Sequence, residues 1–321
     1  MKTLEYLAEK ISKAKSVLVF CHVRPDGDTL GSAFALKYAL ESKGQKCDVV
    51  CDSDYPTKFA FLPYGAEILK PDKVNSAYDL HIAVDVAGEN LLGGSWSLFK
   101  SSKNVMCIDH HPSNERYVED VYIENAAATS MIIYKLLKLM NIDTDNRIAT
   151  AVLLGIITDT GCFGNPNTDA EALKIASEVV ELGADYNKLA YETRKMDIGR
   201  VKLFAAMLTN SRTYFGNKLY IMTTTQEMLA KYNLKPDANE GFVDYPLWMD
   251  GVAVSVSLLE DRHNFYRVSF RSRGSVNVNA VAHEFGGGGH ANASGCVIRA
   301  CYEEAIERIV RAVRINSDWD D

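Results

Sequence analysis

Three short stretches narrow the fold before anything else does. Residues 16–22 (SVLVFCH), 79–88 (DLHIAVDVAG) and 104–111 (NVMCIDHH) each contain a continuous apolar run that ends in an acid or a histidine. A strand apolar at every position must be buried on both faces, which is the condition of a parallel sheet covered by helices. Residues 45–52 (QKCDVVCD) read as a further strand of the same set. Between and after these runs come segments of helical period at 31–44, 126–140, 145–157 and 169–184, the first stopped by Gly44. Strands alternating with helices predict an α/β domain with a doubly wound, mostly parallel sheet.

The texture changes in the second half. Residues 187–212 read as one charge-rich connecting helix. Beyond them, 218–225, 251–261 and 264–273 are alternating, β-branched and aromatic strands, followed by a short helix at 276–287, a strand at 295–300 and a last helix at 301–317. The chain therefore divides into a first domain at 1–186, a helical linker at 187–213 and a smaller α/β domain at 214–321 with a mixed or antiparallel sheet. At 321 residues it is long enough for two domains of the usual ~100–200 residues.

Four segments of the first domain present metal-ligating side chains where an apolar element stops. They are His22 at the end of the first apolar run with Asp26 and Asp28 in the loop expected at 23–32, Asp85, Asp109-His110-His111, and Asp159 in a strand end or loop. Gly27 would allow a tight turn that aims both loop carboxylates at one point. Any one of these acids alone reads as a helix cap or turn former. Their recurrence carries the argument, because parallel strands bring their carboxyl ends to a common edge where ligands bind. So many carboxylates at ~3–6 Å would repel one another unless divalent cations neutralise them. Oxygen and imidazole donors without cysteine suit a borderline-hard ion such as Mn²⁺, and the ligand count is enough for two ions, with Mg²⁺ or Co²⁺ as substitutes.

In chain order, HxRPDGDxxGS, a strand-end Asp, IDHHPSN and TDTGCF resemble the four motifs of the DHH phosphoesterases. That family includes RecJ-type exonucleases, manganese-dependent inorganic pyrophosphatases and nanoRNase/pAp phosphatases. The resemblance covers residues 1 to about 186. It implies that His22, Asp26 and Asp85 hold one metal, and that Asp28, Asp85, His110 and Asp159 hold the other, with Asp85 bridging. It further implies that His111 faces the scissile phosphate and that Asp109 orients a histidine from behind. Thr29 stands where a small residue is usual.

In the second domain, Gly286–Gly289 and His290 are followed by small polar residues, an open backbone that reads as an anion cradle. GGGGH followed by A-SG is similar to the glycine-rich segment of the DHH-associated C-terminal domain, which implies substrate contacts from Gly287, Gly288, Gly289 and His290. That domain would grip the nucleotide, facing the metal domain across a cleft. Arg271 and Arg273 precede this stretch. Arg271 matches the family pattern better and is the expected phosphate binder.

The resemblance implies a two-metal enzyme that hydrolyses very short RNA and 3′-phosphoadenosine 5′-phosphate (pAp) to nucleoside monophosphates. The alternatives are a cyclic-dinucleotide or pApA phosphodiesterase, a manganese-dependent pyrophosphatase, and a non-catalytic nucleotide-binding paralogue. Net charge is −7, so there is no global basic field for long duplex nucleic acid. No apolar run reaches the ~18–20 residues of a membrane span. The seven scattered cysteines read as reduced core thiols. These features point to a cytoplasmic protein, and related enzymes suggest a homodimer.

Overall fold

The computed structural model describes residues 2–55, 59–62 and 67–319. The chain forms two compact units, Met1–Lys195 and Met196–Asp321. In the first, α1 (Leu4–Lys13) leads to β1 (Ser16–Phe20), α2 (Gly27–Ser42), β2 (Lys46–Val50), β3 (Ile68–Leu69), β4 (Leu80–Val84), α3 (Trp96–Phe99), β5 (Val105–Asp109) and β6 (Asp120–Ile123). Four helices follow: α4 (Thr129–Leu139), α5 (Asn146–Asp159), α6 (Ala170–Glu181) and α7 (Tyr186–Arg194). The strands form one parallel sheet in the order β3-β2-β1-β4-β5-β6. The sequence order reverses between β1 and β4, so the crevice of a doubly wound sheet opens there.

The continuous apolar strands are explained by two cores. Val17, Val19, Ile82, Val84, Met106 and Ile108 pack with residues of α1, α2, α4 and α5 on one face. Leu18, Phe20, Ala83 and Cys107 pack with Leu92 and Phe99 on the other. Successive strand residues alternate between faces, so both parities must be apolar. The cysteines are all free thiols, with Cys21, Cys47, Cys51 and Cys107 in these cores and Cys301 exposed. Among the described residues no helix is long and apolar enough to cross a membrane.

The central helix α2 corrects the expected loop at 23–32. It begins at Gly27, with Asp26 as its N-cap, accepting hydrogen bonds from the Asp28 and Thr29 N–H groups at 3.0 and 3.1 Å. Gly27 makes no left-handed turn; a Cβ there would lie 2.3 Å from Thr158 Cγ2. Residues Gly27 through Leu40 are all buried, which suits a helix apolar on every side. Its approach to α5 depends on glycine: a Cβ on Gly31 would meet the Ala151 carbonyl oxygen at 2.4 Å.

The second unit contains α8 (Ile198–Thr209), β7 (Arg212–Tyr214), β8 (Leu219–Thr224), α9 (Gln226–Lys231), β9 (Val254–Arg262), β10 (Phe265–Ser272), α10 (Val278–His283), β11 (Gly288–His290), β12 (Ala293–Arg299) and α11 (Tyr302–Ile315). Its sheet runs β11-β12-β10-β9-β8-β7, antiparallel except for the β8–β9 pair. The expected single helix over 187–212 is two helices, α7 and α8, one in each unit. Lys195 leaves helical geometry at ψ 139, and Asp197 starts α8 by accepting from the Arg200 N–H at 2.8 Å. Charge composition alone concealed that cap.

Gly31→Ala should destabilise the protein by about 1–3 kcal/mol, because the added methyl strikes backbone that cannot turn aside. An open helical site would instead gain up to about 1 kcal/mol from the same change. Denaturant unfolding read by circular dichroism distinguishes the two signs.

Candidate active site

The site is built from the carboxyl ends of β1, β4 and β5, the first turn of α2 and the last turn of α5. Asp85 is its centre. It follows β4 directly, is 3% exposed, and adopts φ 58, a left-handed conformation that costs a non-glycine residue energy. Its N–H donates to the Ile108 carbonyl at 2.9 Å, and the Thr129 hydroxyl donates to its Oδ1 at 3.0 Å. These bonds hold the strained residue.

Three groups of donor atoms, each within 4.8 Å of one another, are His22-Asp26-Asp85, Asp28-His110-Asp159 and Asp85-His110-His111. His22 Nε2 lies 3.6 Å from Asp26 Oδ1 and 3.6 Å from Asp85 Oδ2. His110 Nε2 lies 3.6 Å from Asp85 Oδ1 and 3.3 Å from Asp159 Oδ2. The opposite nitrogens are committed: His22 Nδ1 donates to the Val23 carbonyl and His110 Nδ1 to the Ala126 carbonyl, both at 2.9 Å. A carbonyl can only accept, so each Nδ1 carries a proton and each Nε2 faces the carboxylates. Such outer bonds commonly orient metal-binding histidines.

Asp28 is fully buried, and its two oxygens accept the Thr129 and Ser130 N–H groups at 2.6 and 3.0 Å. Those amides open α4, whose positive end favours an anion. Even so, burial and then the Asp85 charge push Asp28 up to about 7. Gly155 makes room for it, since a Cβ there would lie 2.4 Å from Asp28 Oδ1. Asp159 corrects another expectation: it is the last residue of helix α5, not a strand end or loop. Burial and the charges of Asp28, Asp26 and Asp85 raise it well above the usual carboxylate range. A helix C-terminus is also the unfavourable end for an acid. Crowding by surrounding protein would raise Asp26 too, but its His22 partner and the α2 amides hold it at about 2. Burial would lower His22, yet Asp26 and Asp85 outweigh it and hold the ring at about 11.

His111 is arranged differently. Its Nδ1 meets Asp109 Oδ1 at 2.7 Å and Asp85 Oδ1 at 3.6 Å. Burial opposes its charge, but Asp109 and Asp85 raise it to about 9. Asp109 has no exposed surface and stands behind His111; it accepts from His111, from the His110 N–H at 2.8 Å and from Asn114 Nδ2 at 2.7 Å. Burial works to raise Asp109, and these partners overcome it and keep it low.

Sequence reasoning missed Thr129, Ser130 and Asn114. Asn114 read only as part of a turn, although an Asn five positions after an Asp that ends a buried strand was a usable signal. Thr129 and Ser130 act largely through backbone amides, which carry no sequence signature. Thr29 is buried and donates from Oγ1 to the Val84 carbonyl at 3.1 Å, tying α2 to the end of β4.

The second unit places Arg271 on β10, with Nε 2.9 Å from Asp244 Oδ1. The glycine stretch is not the open loop its composition suggested. Gly288 and Gly289 pair with Gly295 and Ser294 across the β11–β12 hairpin. Glycine is required there by close approach: a Cβ on Gly287 would lie 2.2 Å from the Gly295 carbonyl oxygen, and one on Gly289, at φ 148, 2.5 Å from that of Ala293. Because β11 is the sheet edge, its outward side has no strand partner among the described residues. His290 belongs to β11 through its backbone, and its side chain lies outside the described residues.

Comparison with known proteins agrees with this layout. Residues 16–156 match the DHH family N-terminal domain, and residues 218–315 match the DHHA1 domain. The chain is 31% identical over 301 residues to the bifunctional oligoribonuclease and PAP phosphatase NrnA of Thermus thermophilus, covering 93% of this chain and 89% of that one. It is 26% identical to the protein of the same name from Bacillus subtilis, covering 91% and 92%. The crystal structure of an exopolyphosphatase-related protein from Bacteroides fragilis superposes with a TM-score of 0.91 at 25% identity, covering 97% of this chain and 95% of that one. A strand-end carboxylate cluster, a DHH triplet beside it and relatives matched over nearly their whole length place this chain in the DHH family of phosphoesterases, with a DHHA1 domain as its second unit.

Proposed function

We propose that this chain hydrolyses very short oligoribonucleotides and pAp to nucleoside monophosphates with the help of two divalent ions. The observation that carries this reading is the meeting of donor groups on the single carboxylate of Asp85. The substrate class rests on the relatives named as oligoribonuclease and PAP phosphatase, matched over most of the chain.

The residues fit such ions. His22, Asp26 and Asp85 would hold one, and Asp28, Asp85, His110 and Asp159 the other. The histidines offer Nε2 with Nδ1 already committed, and the elevated Asp28 and Asp159 mark negative charge that lacks compensation within the protein. Oxygen and imidazole donors without thiolate suit Mn²⁺, with Mg²⁺ or Co²⁺ as substitutes. When bound, the pair supplies charge neutralisation and an activated water for in-line displacement at phosphorus.

The chain's own groups do the rest. His111, raised to about 9, holds its proton at neutral pH. With Nδ1 on Asp109, it would present Nε2–H to a phosphate oxygen and stabilise the charge that develops there. Asp109, held by Asn114, keeps that ring in one orientation. Arg271 would exchange its exposed partner Asp244 for a substrate phosphate, since an exposed ion pair is worth only ~0–1 kcal/mol. The β11 edge amides, with Gly287, Gly288, Gly289 and His290, would line the same end of the substrate. Net charge of −7 favours short substrates over long duplex. Free thiols throughout fit a cytoplasmic setting, and a homodimer is the assembly we expect.

A manganese-supplemented assay of pAp, a dinucleotide, a 24-nucleotide RNA and pyrophosphate should show preference for the first two; preference for pyrophosphate would overturn the reading. Asp85→Ala or His110→Ala should lower turnover by more than about 100-fold, beyond the ~10–100-fold typical of outer partners. A protein that only binds nucleotide would keep its affinity and show no turnover to lose.

Metal and pH should be linked. A carboxyl whose folded pKa is raised contributes stability below its unfolded value of about 4, and that contribution is lost as pH rises to about 7, the level reached by Asp28. His22, raised to about 11, adds a loss that begins near 6.5. Chelator-stripped protein should therefore melt at a lower temperature at pH 8 than at pH 5. Added Mn²⁺ should raise the melting temperature more at pH 8, because bound ligands must be deprotonated. An equal gain at both pH values would contradict the assignment.

A further inference from the structure

The second unit carries an exposed aromatic surface that the proposed reaction does not use. The 3₁₀ helix Phe242–Trp248 buries Phe242, Val243 and Pro246 against its own unit. Its other side and the turn after it display Tyr245, Trp248 and Met249, with Trp248 62% exposed. Clustered large apolar groups on a surface mark contact sites. Tyr245 already packs on Phe204, with ring centroids 4.9 Å apart. Trp248 has no aromatic neighbour among the described residues; its ring partner is the Arg273 guanidinium, 5.1 Å from its centroid.

Beside them the surface dips into an open depression of about 480 Å³, lined by Trp248, Met249, Asp250, Val252 and Arg273 among others. That is within the range of pockets that take small ligands, ~300–1,000 Å³. The walls join an aromatic face, a cation and a carboxylate. An apolar peptide anchor would leave Asp250 and Arg273 desolvated and unpaired. A nucleotide would satisfy all three: its base stacks on the indole, its edge donors reach a carboxylate, and its phosphate meets a guanidinium.

The two arginines flanking Ser272 differ. Arg271 is paired with Asp244, whereas no carboxylate among the described residues lies within ion-pair distance of Arg273. Arg273 in its lining follows Ser272, which is bonded to the connection of the glycine-rich hairpin. The Arg273 N–H donates to the Ala253 carbonyl at 2.8 Å, and the Ser272 N–H donates to the Asn292 carbonyl at 3.0 Å. One backbone turn therefore links the Trp248 wall to the β11–β12 connection.

We propose that Trp248 and Arg273 form a nucleobase-stacking subsite that holds one nucleotide of the substrate beside the β11–β12 hairpin. As a substrate subsite it rests on the hydrolytic reading above, but its binding chemistry is tested separately. Titration calorimetry on the manganese-loaded full chain compares AMP with ribose 5-phosphate, which lacks the base. AMP should bind at least about tenfold more tightly, as stacking on an aromatic side chain provides. Trp248→Ala should abolish that difference and raise KM for a dinucleotide by roughly tenfold, Trp248→Phe should retain most of it, and Arg273→Ala should weaken both ligands.

Circular dichroism melts check that the variants fold, and the Phe variant keeps the test valid if the Ala variant does not. Undiminished AMP affinity in Trp248→Ala would overturn the subsite. So would a change of that variant's oligomeric state on size exclusion with AMP affinity intact, since the patch would then be a self-association face. If wild-type protein hydrolyses no phosphoester yet binds AMP through Trp248, the hydrolytic reading falls and the nucleotide pocket stands. If hydrolysis proceeds without dependence on Trp248, the reverse holds.

Discussion

Repulsion among buried carboxylates is the constraint on which the rest of this structure depends. Buried Asp28 and Asp85 converge with half-buried Asp159 and the more exposed Asp26 at the switch point of a parallel sheet. Burial and mutual repulsion push Asp28 and Asp159 upward. The surroundings are organised to tolerate that. The opening amides of α4 receive Asp28, Thr129 steadies Asp85, and two histidines turn Nε2 toward the cluster while backbone carbonyls hold Nδ1. A site held this way binds cations by removing a penalty already present in the folded chain.

The packing around the cluster follows from the same demand. Helix α2 must lie close enough to α5 for Asp28 and Asp159 to share a site, and Gly31 and Gly155 permit that approach. Thr29 ties the first turn of α2 to the end of β4, so its position is set from both sides. Asp85 keeps an uncommon backbone conformation because its N–H is bonded to the neighbouring strand's carbonyl. Strain, close glycine contacts and crowded charge thus concentrate where three strands end. In the second unit, the glycines of the β11–β12 hairpin are likewise set by close backbone contacts.

Much of this was legible in the residues, and the misreadings have identifiable causes. Continuous apolar runs gave away the buried parallel strands, since only strands covered on both faces can be apolar at every position. Residues 23–32 read as a loop because Pro-Asp-Gly-Asp has turn composition, yet Asp26 is an N-cap and the helix starts at once. The same ambiguity hid the end of α5, where Asp159 sits in the last helical turn. The glycine run looked open because glycine is permissive. Its actual reason, contact with the carbonyls of Gly295 and Ala293 on the facing strand, depends on how the hairpin closes. Short strands such as β6, β7 and β11 escaped notice because three or four residues show no resolvable period.

By itself the sequence determined the layered α/β plan, the identities of the acids and histidines, and the order of motifs that marks the family. Those depend on residue type and local spacing, which a linear chain carries in full. Tertiary structure decided how the groups are oriented and charged: which histidine nitrogen faces the cluster, which carboxylates are driven upward, and that Asp109 stands behind His111. It alone placed an exposed tryptophan beside an arginine that has no carboxylate within ion-pair distance among the described residues. These properties arise from burial and from distances between residues as far apart as Asp28 and Ser130, and a protonation state responds to neighbours in space, not in sequence.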